Sequence, residues 1–380
     1  MEIFVLFLVM LLLVFIQSQV FRRLSFKGLD YECAFSTDEA FEGDSIELVE
    51  TITNRKWLPL PWFKSELTTS KWLDFAGSQS TVTYNTRFVP SLFLIKGHTK
   101  VVRRWKVTCR KRGVYSIDTV VLVSTDLLGR QTVSKTVKTG SQVVVLPKTF
   151  ELSEEFADSR FLQGDHPVRA QLLPDPFVVS GVREYLPSDP MKNIHWNATA
   201  KMGRIMIRNQ EFTTRQCMLV LLNLQTKEYE KKQAVDLDAL ENCIRTAASL
   251  FDGTLYNTLP FAFGCNSSEK GLDTEETTFV PYSYGTEYVM SLFRLLAHLP
   301  EGATLNFARF LQDFEVPQET TDIFLVTAYV SDDLFNYCRL QKEEGRHVKI
   351  LVLRPETEQF PDDCDVYYLR EEAVKHHATD

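Results

Sequence analysis

The feature that most constrains this chain is an uninterrupted apolar run close to its N-terminus. Residues 3–16 read IFVLFLVMLLLVFI, and no charged residue follows until Arg22. As a helix, the uncharged stretch 3–21 spans roughly 28 Å, about the thickness of a bilayer core. The run therefore predicts a transmembrane anchor over residues 1–24.

A secretory signal peptide is the alternative for an apolar run of this length. Glu2 stands where a signal peptide carries basic residues, and residues 17–19 (QSQ) do not form a small-residue cleavage site. Arg22, Arg23 and Lys27 follow the run, and such basic residues remain on the cytoplasmic side of a membrane. We therefore expect a single-pass protein of the cell membrane with cytoplasmic soluble domains and these three membrane-proximal cations.

Charge and cysteine content narrow the class of function. The net charge is −8, which argues against a nucleic-acid partner, although the half of the chain nearer the N-terminus is basic and the distal half acidic. The seven cysteines are irregularly spaced and include no C-x-x-C pair, so neither a zinc ribbon nor a redox motif is supported. Free thiols in a reducing compartment are expected.

Residues 28–147 carry short runs of β-branched and alternating apolar residues. Turn signals such as Glu42-Gly43-Asp44 separate these runs, and no segment of helical period intervenes. Many short strands at this spacing predict an antiparallel β-sandwich. A basic cluster in this segment (Arg103, Arg104, Lys106, Arg110, Lys111 and Arg112) suits either charge protection of an edge strand or contact with a membrane or partner.

A dense polar and aromatic motif lies in the connecting segment, residues 148–211. Asp189 followed by Pro190 predicts a helix start, and Gly203 predicts a helix end. We expect a strand, a short capped helix and a second strand, with an Arg183–Asp189 pair and with Trp196 packing one domain on the next. The motif residues singled out are Gly181, Arg183, Tyr185, Asp189, His195, Trp196 and Lys201.

Here the sequence resembles a known family. The pattern G-x-R-x-Y-x-x-x-D-P-x-x-x-I-H-W, followed by an Ala-Lys pair, is similar to the hallmark of the DUF58 family. Residues 110–115 (RKRGVY) and 124–129 (STDLLG) resemble two further segments of that family. The resemblance covers nearly the whole chain and implies a von Willebrand factor A-like domain in its C-terminal part.

Residues 212–375 alternate between apolar strand patterns and amphipathic helix patterns, which predicts a doubly wound parallel sheet. The von Willebrand factor A-like fold often binds a divalent metal through an Asp-x-Ser-x-Ser loop after its first strand, and hard cations need oxygen ligands. Asn223, Gln225 and Lys227 stand in that loop here, so we expect a degenerate loop without metal and a protein without cofactor.

Three functions remain open from the sequence. The family resemblance implies a non-catalytic, membrane-anchored adaptor or assembly factor that acts with a MoxR-type AAA+ ATPase and with a transglutaminase-like membrane protein. A hydrolytic enzyme that uses Arg183, Asp189 and His195 is the second possibility, although no nucleophile elbow, metalloprotease or phosphate-binding motif occurs. A secreted surface-binding module is the third.

Overall fold

Two compact units make up the part of the chain that the structure describes. The computed structural model describes residues 2–150, 174–185, 191, 194–212, 217–230, 232–255, 259–353 and 364–368. Within these residues, the first unit falls in Met1–Thr149 and Met290–Leu299, and the second in Phe150–Val289 and Pro300–His377.

The first unit begins with the apolar helix α1 (Glu2–Leu24), as the sequence predicts. The part of α1 from Ile3 onward is long and apolar enough to cross a membrane, a test that a signal sequence also passes. Its side chains are exposed over most of its length, but Phe21 is buried and belongs to the core of the following sheets. Arg22 and Arg23 lie exposed in its last turn, and Lys27 is exposed just beyond.

Ten strands follow and form two sheets that share one hydrophobic core, which gives the first unit the sandwich-like architecture expected from the sequence. One sheet has the order β1-β3-β8-β5 and the other β2-β10-β9-β4-β7-β6; all pairs are antiparallel except β2 with β10. The strands are β1 (Leu29–Phe35), β2 (Glu39–Phe41), β3 (Ser45–Asn54), β4 (Leu60–Ser70), β5 (Leu73–Phe75), β6 (Thr81–Thr83), β7 (Thr86–Ile95), β8 (Thr99–Cys109), β9 (Gly113–Thr125) and β10 (Thr132–Leu146).

A fully buried glutamate joins the two sheets. Along β3 every second side chain points inward, and this alternation places Glu50 in the core with 0% exposure. One carboxylate oxygen accepts hydrogen bonds from Tyr31 Oη (2.7 Å) and Ser65 Oγ (2.7 Å). The other accepts from Ser91 Oγ (3.0 Å) and Trp105 Nε1 (2.7 Å). Because Ser65 and Ser91 belong to the opposite sheet, the carboxylate connects both layers.

The basic cluster of the sandwich is largely engaged by the protein itself. The Arg103 guanidinium stacks over the rings of Phe93 and Trp105, at 4.4 and 5.4 Å from their centroids. Arg112 is buried and donates to the backbone oxygens of Leu296 (2.6 Å) and Leu299 (3.0 Å), which belong to the same unit. Neither of the two roles proposed from the sequence anticipates the bonds of Arg112, because its two partners are far away in the chain.

The second part of the chain contains the remaining strands and helices. They are β11 (Pro174–Glu184), α2 (Trp196–Met202), β12 (Met206–Phe212), β13 (Met218–Leu222), α3 (Leu237–Leu255), β14 (Phe261–Cys265), β15 (Thr278–Ser283), α4 (Thr286–His298), α5 (Phe307–Asp313), β16 (Asp322–Thr327), α6 (Asp332–Glu343), β17 (His347–Val352) and β18 (Asp365–Tyr368). Strands β11 and β12 form a separate antiparallel pair.

The α/β sheet has the order β15-β14-β13-β16-β17-β18. All neighbours are parallel except the edge strand β15. From β13 the chain proceeds first to β14 on one side and later to β16 on the other. The carboxyl ends of β13 and β16 therefore flank the point where the direction of winding reverses, which is the usual ligand crevice of such sheets.

Local capping signals predict several helix boundaries of this unit correctly. Asp236 Oδ1 accepts a hydrogen bond from the backbone N–H of Ala239 (3.1 Å) at the start of α3, and Ser331 caps α6. Gly253 is a residue type that is common at helix ends, but α3 runs on to Leu255. A glycine inside a helix costs about 1 kcal/mol, and the buried face of α3 outweighs this cost.

Candidate functional site

The motif helix α2 is fixed at its N-terminal end by a histidine. His195 Nδ1 accepts a hydrogen bond from the backbone N–H of Ala198 (3.1 Å), which makes His195 the N-cap. The backbone N–H of His195 donates to the oxygen of Met206 (2.8 Å), so the cap is also bonded to the start of β12. With Nδ1 used as an acceptor, His195 has a structural role in the described geometry.

The other end of α2 is fixed as the sequence predicts. Gly203 adopts a left-handed conformation (φ 68°), and its N–H donates to the oxygen of Thr199 (3.0 Å). Thr199 Oγ1 accepts from the backbone N–H of Met206 (3.0 Å), which adds a second bond to β12 beside that of His195. Ile194 and Ile207 form a β-bridge and are buried. The short helix therefore has a defined position on the β11–β12 pair.

Trp196 lies on the exposed surface of this motif. The indole is 69% exposed, and no residue of α2 is buried; that Trp196 packs one domain on the next stays a prediction. The sequence pattern could not predict this exposure, because coverage of an indole depends on what the rest of the chain brings against it. Within ten residues of Trp196 in the sequence, the side chains of Met191, Met202 and Ile205 are also exposed.

The remaining motif residues lie in β11, directly after β11 and in α2 itself. Tyr185 is half-buried and its backbone N–H donates to the oxygen of Ile205 (2.9 Å). Lys201 is exposed in the last turn of α2, where a cation complements the helix dipole. Gly181 and Arg183 are paired with β12 through their backbones. The expected Arg183–Asp189 ion pair and the Asp189 cap lie outside the described residues.

A buried polar network lies at the reversal point of the α/β sheet. Asn223, directly after β13, donates from Nδ2 to Thr327 Oγ1 (3.0 Å) at the end of β16. Its Oδ1 accepts from the backbone N–H of Gln225 (2.9 Å) and from Asn266 Nδ2 (3.1 Å). We call Asn223, Gln225, Asn266 and Thr327 the strand-end network. Its members are 0–2% exposed.

Asn266 connects three loops, and it is not among the residues that the sequence motifs indicate. Its Oδ1 accepts from the backbone N–H of Leu224 (2.9 Å), and its Nδ2 also donates to the backbone oxygen of Leu305 (3.1 Å). The only local signal for this role is the position of Asn266 directly after a buried strand. Asparagine is also common at such positions in ordinary turns. Only the pairing of β14 with β13 brings it beside Asn223.

The loop that follows β13 folds around its own carboxylate. Glu230 accepts hydrogen bonds from the backbone N–H of Thr226 (2.5 Å) and from Thr226 Oγ1 (2.8 Å), and also from the backbone N–H of Val235. Gln225 Oε1 accepts from the backbone N–H of Phe307 (2.7 Å), whereas Lys227 is exposed. The oxygen atoms of Asn223 and Gln225 are thus occupied by hydrogen-bond donors of the chain.

The cysteine thiols have the properties of core residues. All seven cysteines are free thiols, and all but Cys364 are buried. Burial, the largest cause, raises the pKa of Cys33 to about 12, and burial likewise raises the pKa of Cys109 and Cys265 to about 11. These three thiols are therefore protonated near neutral pH and are poor nucleophiles.

Comparison with solved structures gives only slight likenesses. A non-cellulosomal cohesin from Archaeoglobus fulgidus is 16% identical over 35% of this chain and 98% of its own, with a TM-score of 0.21. Domains D2 and D3 of the major pilin SpaD from Corynebacterium diphtheriae are 16% identical over 33% of this chain and 57% of their own, with a TM-score of 0.23. TM-scores this low support no conclusion about function.

Sequence comparison gives a family match that includes the motif region. No curated protein matches the chain significantly. The family model described as "Protein of unknown function DUF58" matches residues 181–375, which include the α2 motif and the α/β sheet. The chain belongs to the DUF58 family.

Proposed function

We propose that this protein is a membrane-anchored, non-catalytic adaptor that binds a MoxR-type AAA+ ATPase through the α2 motif. The single observation that carries the proposal is the exposure of Trp196 on a helix that is fixed at both ends. Tryptophan is among the residues that contribute most to protein–protein binding. A side chain held by a rigid backbone also loses less conformational freedom on binding.

The polar groups of the second unit support an adaptor over a hydrolase. His195 Nδ1 caps α2, and the oxygen atoms of Asn223 and Gln225 accept bonds from the chain itself. The doubly wound strand order is compatible with a von Willebrand factor A-like domain that has lost its metal loop and binds a partner without a cation. The ATPase, and with it a transglutaminase-like membrane protein, is suggested by the family resemblance alone.

The first prediction concerns Trp196. Trp196→Ala should leave the free energy of unfolding within about 0.5 kcal/mol of wild type, because the indole is exposed. The same change should weaken binding of the full-length protein to the purified MoxR-type ATPase by at least about 2 kcal/mol, the effect of a binding hot spot. Binding of the purified ATPase to full-length protein that is immobilised in nanodiscs measures the affinity. Thermal unfolding measures the stability of each variant.

Tyr229→Ala is the matched control for this prediction, since Tyr229 is an aromatic residue of the same unit with 91% exposure. It should change neither affinity nor stability. Equal binding by wild type and Trp196→Ala would contradict the proposed docking role of the motif.

The second prediction concerns the anchor and its orientation. With α1 retained in the membrane and Arg22 and Arg23 on its cytoplasmic side, the soluble units are cytoplasmic. Protease added to intact cells should leave the chain beyond residue 25 undigested, and the same protease should digest it after lysis. Digestion in intact cells, or a mature N-terminus beyond α1, would instead favour the secreted module.

A further inference from the structure

The end of the sandwich next to α1 has a distinctive surface. Lys56 Nζ donates to the backbone oxygen of Ser25, and the backbone N–H of Arg55 donates to the oxygen of Gly28 (2.9 Å). These two bonds place the β3–β4 loop beside the end of α1, whose Phe21 packs in the sandwich core. We call the loops 55–59, 96–98 and 126–131, with the strand ends beside them, the α1-proximal end.

Large apolar side chains are exposed at this end although the core beneath them is well formed. Trp57 in the β3–β4 loop is 68% exposed, and Trp62 at the start of β4 is 58% exposed. The register pairs Leu60 with Ile95 and Phe63 with Phe93, and the shift between these pairs places both Pro61 and Trp62 opposite Leu94 on the adjacent strand. The further exposed apolar residues here are Leu92, Leu94, Leu127 and Leu128.

The backbone holds the exposed tip of Trp57 in place. Asn54 Nδ2 donates to the oxygens of Leu58 (2.9 Å) and Lys96 (3.0 Å), which joins two of the loops. Gly97 lies so close to Trp57 that an added Cβ would stand 2.3 Å from its backbone oxygen. The loop backbone is therefore packed against its neighbour, and the exposed indole projects from it.

The turn between β9 and β10 is also well defined. Asp126 is buried, and its Oδ1 accepts from the backbone N–H groups of Arg130 (2.7 Å) and Gln131 (3.2 Å). Thr125, just before the turn, pairs with Trp62. Leu127 and Leu128, which follow Asp126, are therefore exposed at the same end as Trp62.

The charges around these apolar side chains are mainly positive. Lys27, Arg55, Lys96 and Arg130 are exposed, in addition to Arg22 and Arg23 in α1. Asp30, at the start of β1, is also exposed, and it is paired with Arg55 at 2.7 Å. An apolar tip surrounded by cations matches the boundary between acyl chains and anionic headgroups, where Trp is enriched and where Lys and Arg are attracted to the anionic lipids.

We propose that the α1-proximal end docks on the bilayer surface, with Trp57, Trp62 and Leu94 inserted at the level of the headgroups. Continuity with α1 identifies the lipid surface as the occupant, since the bilayer that surrounds α1 ends beside these loops. This inference rests on the proposed retention of α1 as an anchor. Docking would make the sandwich a rigid continuation of the anchor.

Tryptophan quenching in the full-length protein tests this docking. The protein is reconstituted into vesicles of phosphatidylcholine and phosphatidylglycerol with brominated acyl chains, which quench nearby indoles. Of the five tryptophans, none lies in α1. Wild type should be quenched, Trp57→Phe/Trp62→Phe should lose most of the quenching, and the control Trp196→Phe should keep it. Quenching that survives in the double variant would overturn the proposal.

A charge substitution tests insertion without removing the probes. Leu94→Glu should reduce the quenching of Trp57 and Trp62 with an unchanged melting temperature, since Leu94 is 69% exposed. Leu340→Glu, at a leucine 58% exposed in α6, is the matched control and should have no effect on quenching.

Resistance of the wild type to alkaline carbonate extraction separates the two proposals. A protein that stays in the vesicles without quenching keeps the anchor and refutes the docking. A protein that is extracted refutes the anchor and, with it, the docking.

Discussion

Glu50→Gln is expected to lower the free energy of unfolding of the sandwich unit by about 2–4 kcal/mol. The carboxylate accepts one donor at each of four positions, whereas an amide replaces one acceptor oxygen by an NH₂ group. Trp105 Nε1 can only donate, so the amide nitrogen must face Tyr31 and Ser65. Each of those two hydroxyl groups must then rotate to accept from the amide nitrogen, and its own proton is left without an acceptor in the core.

Hydrogen–deuterium exchange of the full-length protein in nanodiscs measures this effect separately for each unit. Peptides from β3, β4 and β8 should exchange at least about 30-fold faster in Glu50→Gln than in wild type, the ratio that corresponds to about 2 kcal/mol.

Glu47→Gln is the matched control on the same strand. Glu47 forms an ion pair with Arg104 (3.0 Å), and its side chain is 50% exposed, so its loss should cost less than about 1 kcal/mol. Similar exchange in the two variants would mean that the buried carboxylate does not hold the two sheets together.

Asn266→Asp should destabilise the α/β unit by about 2–4 kcal/mol. The change replaces Nδ2, which donates to Asn223 Oδ1 and to the backbone oxygen of Leu305, by an oxygen with no hydrogen to donate. The new carboxylate oxygen then faces Asn223 Oδ1 and the backbone oxygen of Leu305, each at about 3.1 Å. The negative charge of the aspartate also lies in a buried site without hydration. Exchange of peptides from β13 and β14 should accelerate, while the peptides of the sandwich should not change.

The same substitution at Asn306 provides the control. Asn306 is exposed and caps α5 through Oδ1, which accepts from the backbone N–H groups of Ala308 (3.0 Å) and Arg309 (3.4 Å). Aspartate caps a helix about as well as asparagine, and its charge favours a helix N-terminus. Asn306→Asp should therefore be within about 0.5 kcal/mol of wild type. Equal exchange in both variants would argue that the strand-end network is dispensable.

Several features of this protein follow from local sequence. The apolar run gives α1, alternation and turn signals give the sandwich strands, and Asp236, Ser331 and Gly203 fix helix ends. These signals work because capping and periodicity depend on neighbours within a few residues. The alternation of β3 also contains a missed signal, since it places Glu50 on the same face as Ile46, Leu48 and Ile52.

Only the tertiary structure decided which polar and aromatic groups meet. Asn266 lies beside Asn223 because two strands pair in parallel, 43 positions apart in the chain. Arg112 donates hydrogen bonds to the backbone oxygens of Leu296 and Leu299, which are 184 and 187 positions away in the chain. Trp196 is 69% exposed, and the sequence pattern does not indicate this, since burial depends on which distant segment covers a side chain. Sequence patterns encode the face a residue occupies, whereas the partner on that face is determined by how distant segments pack.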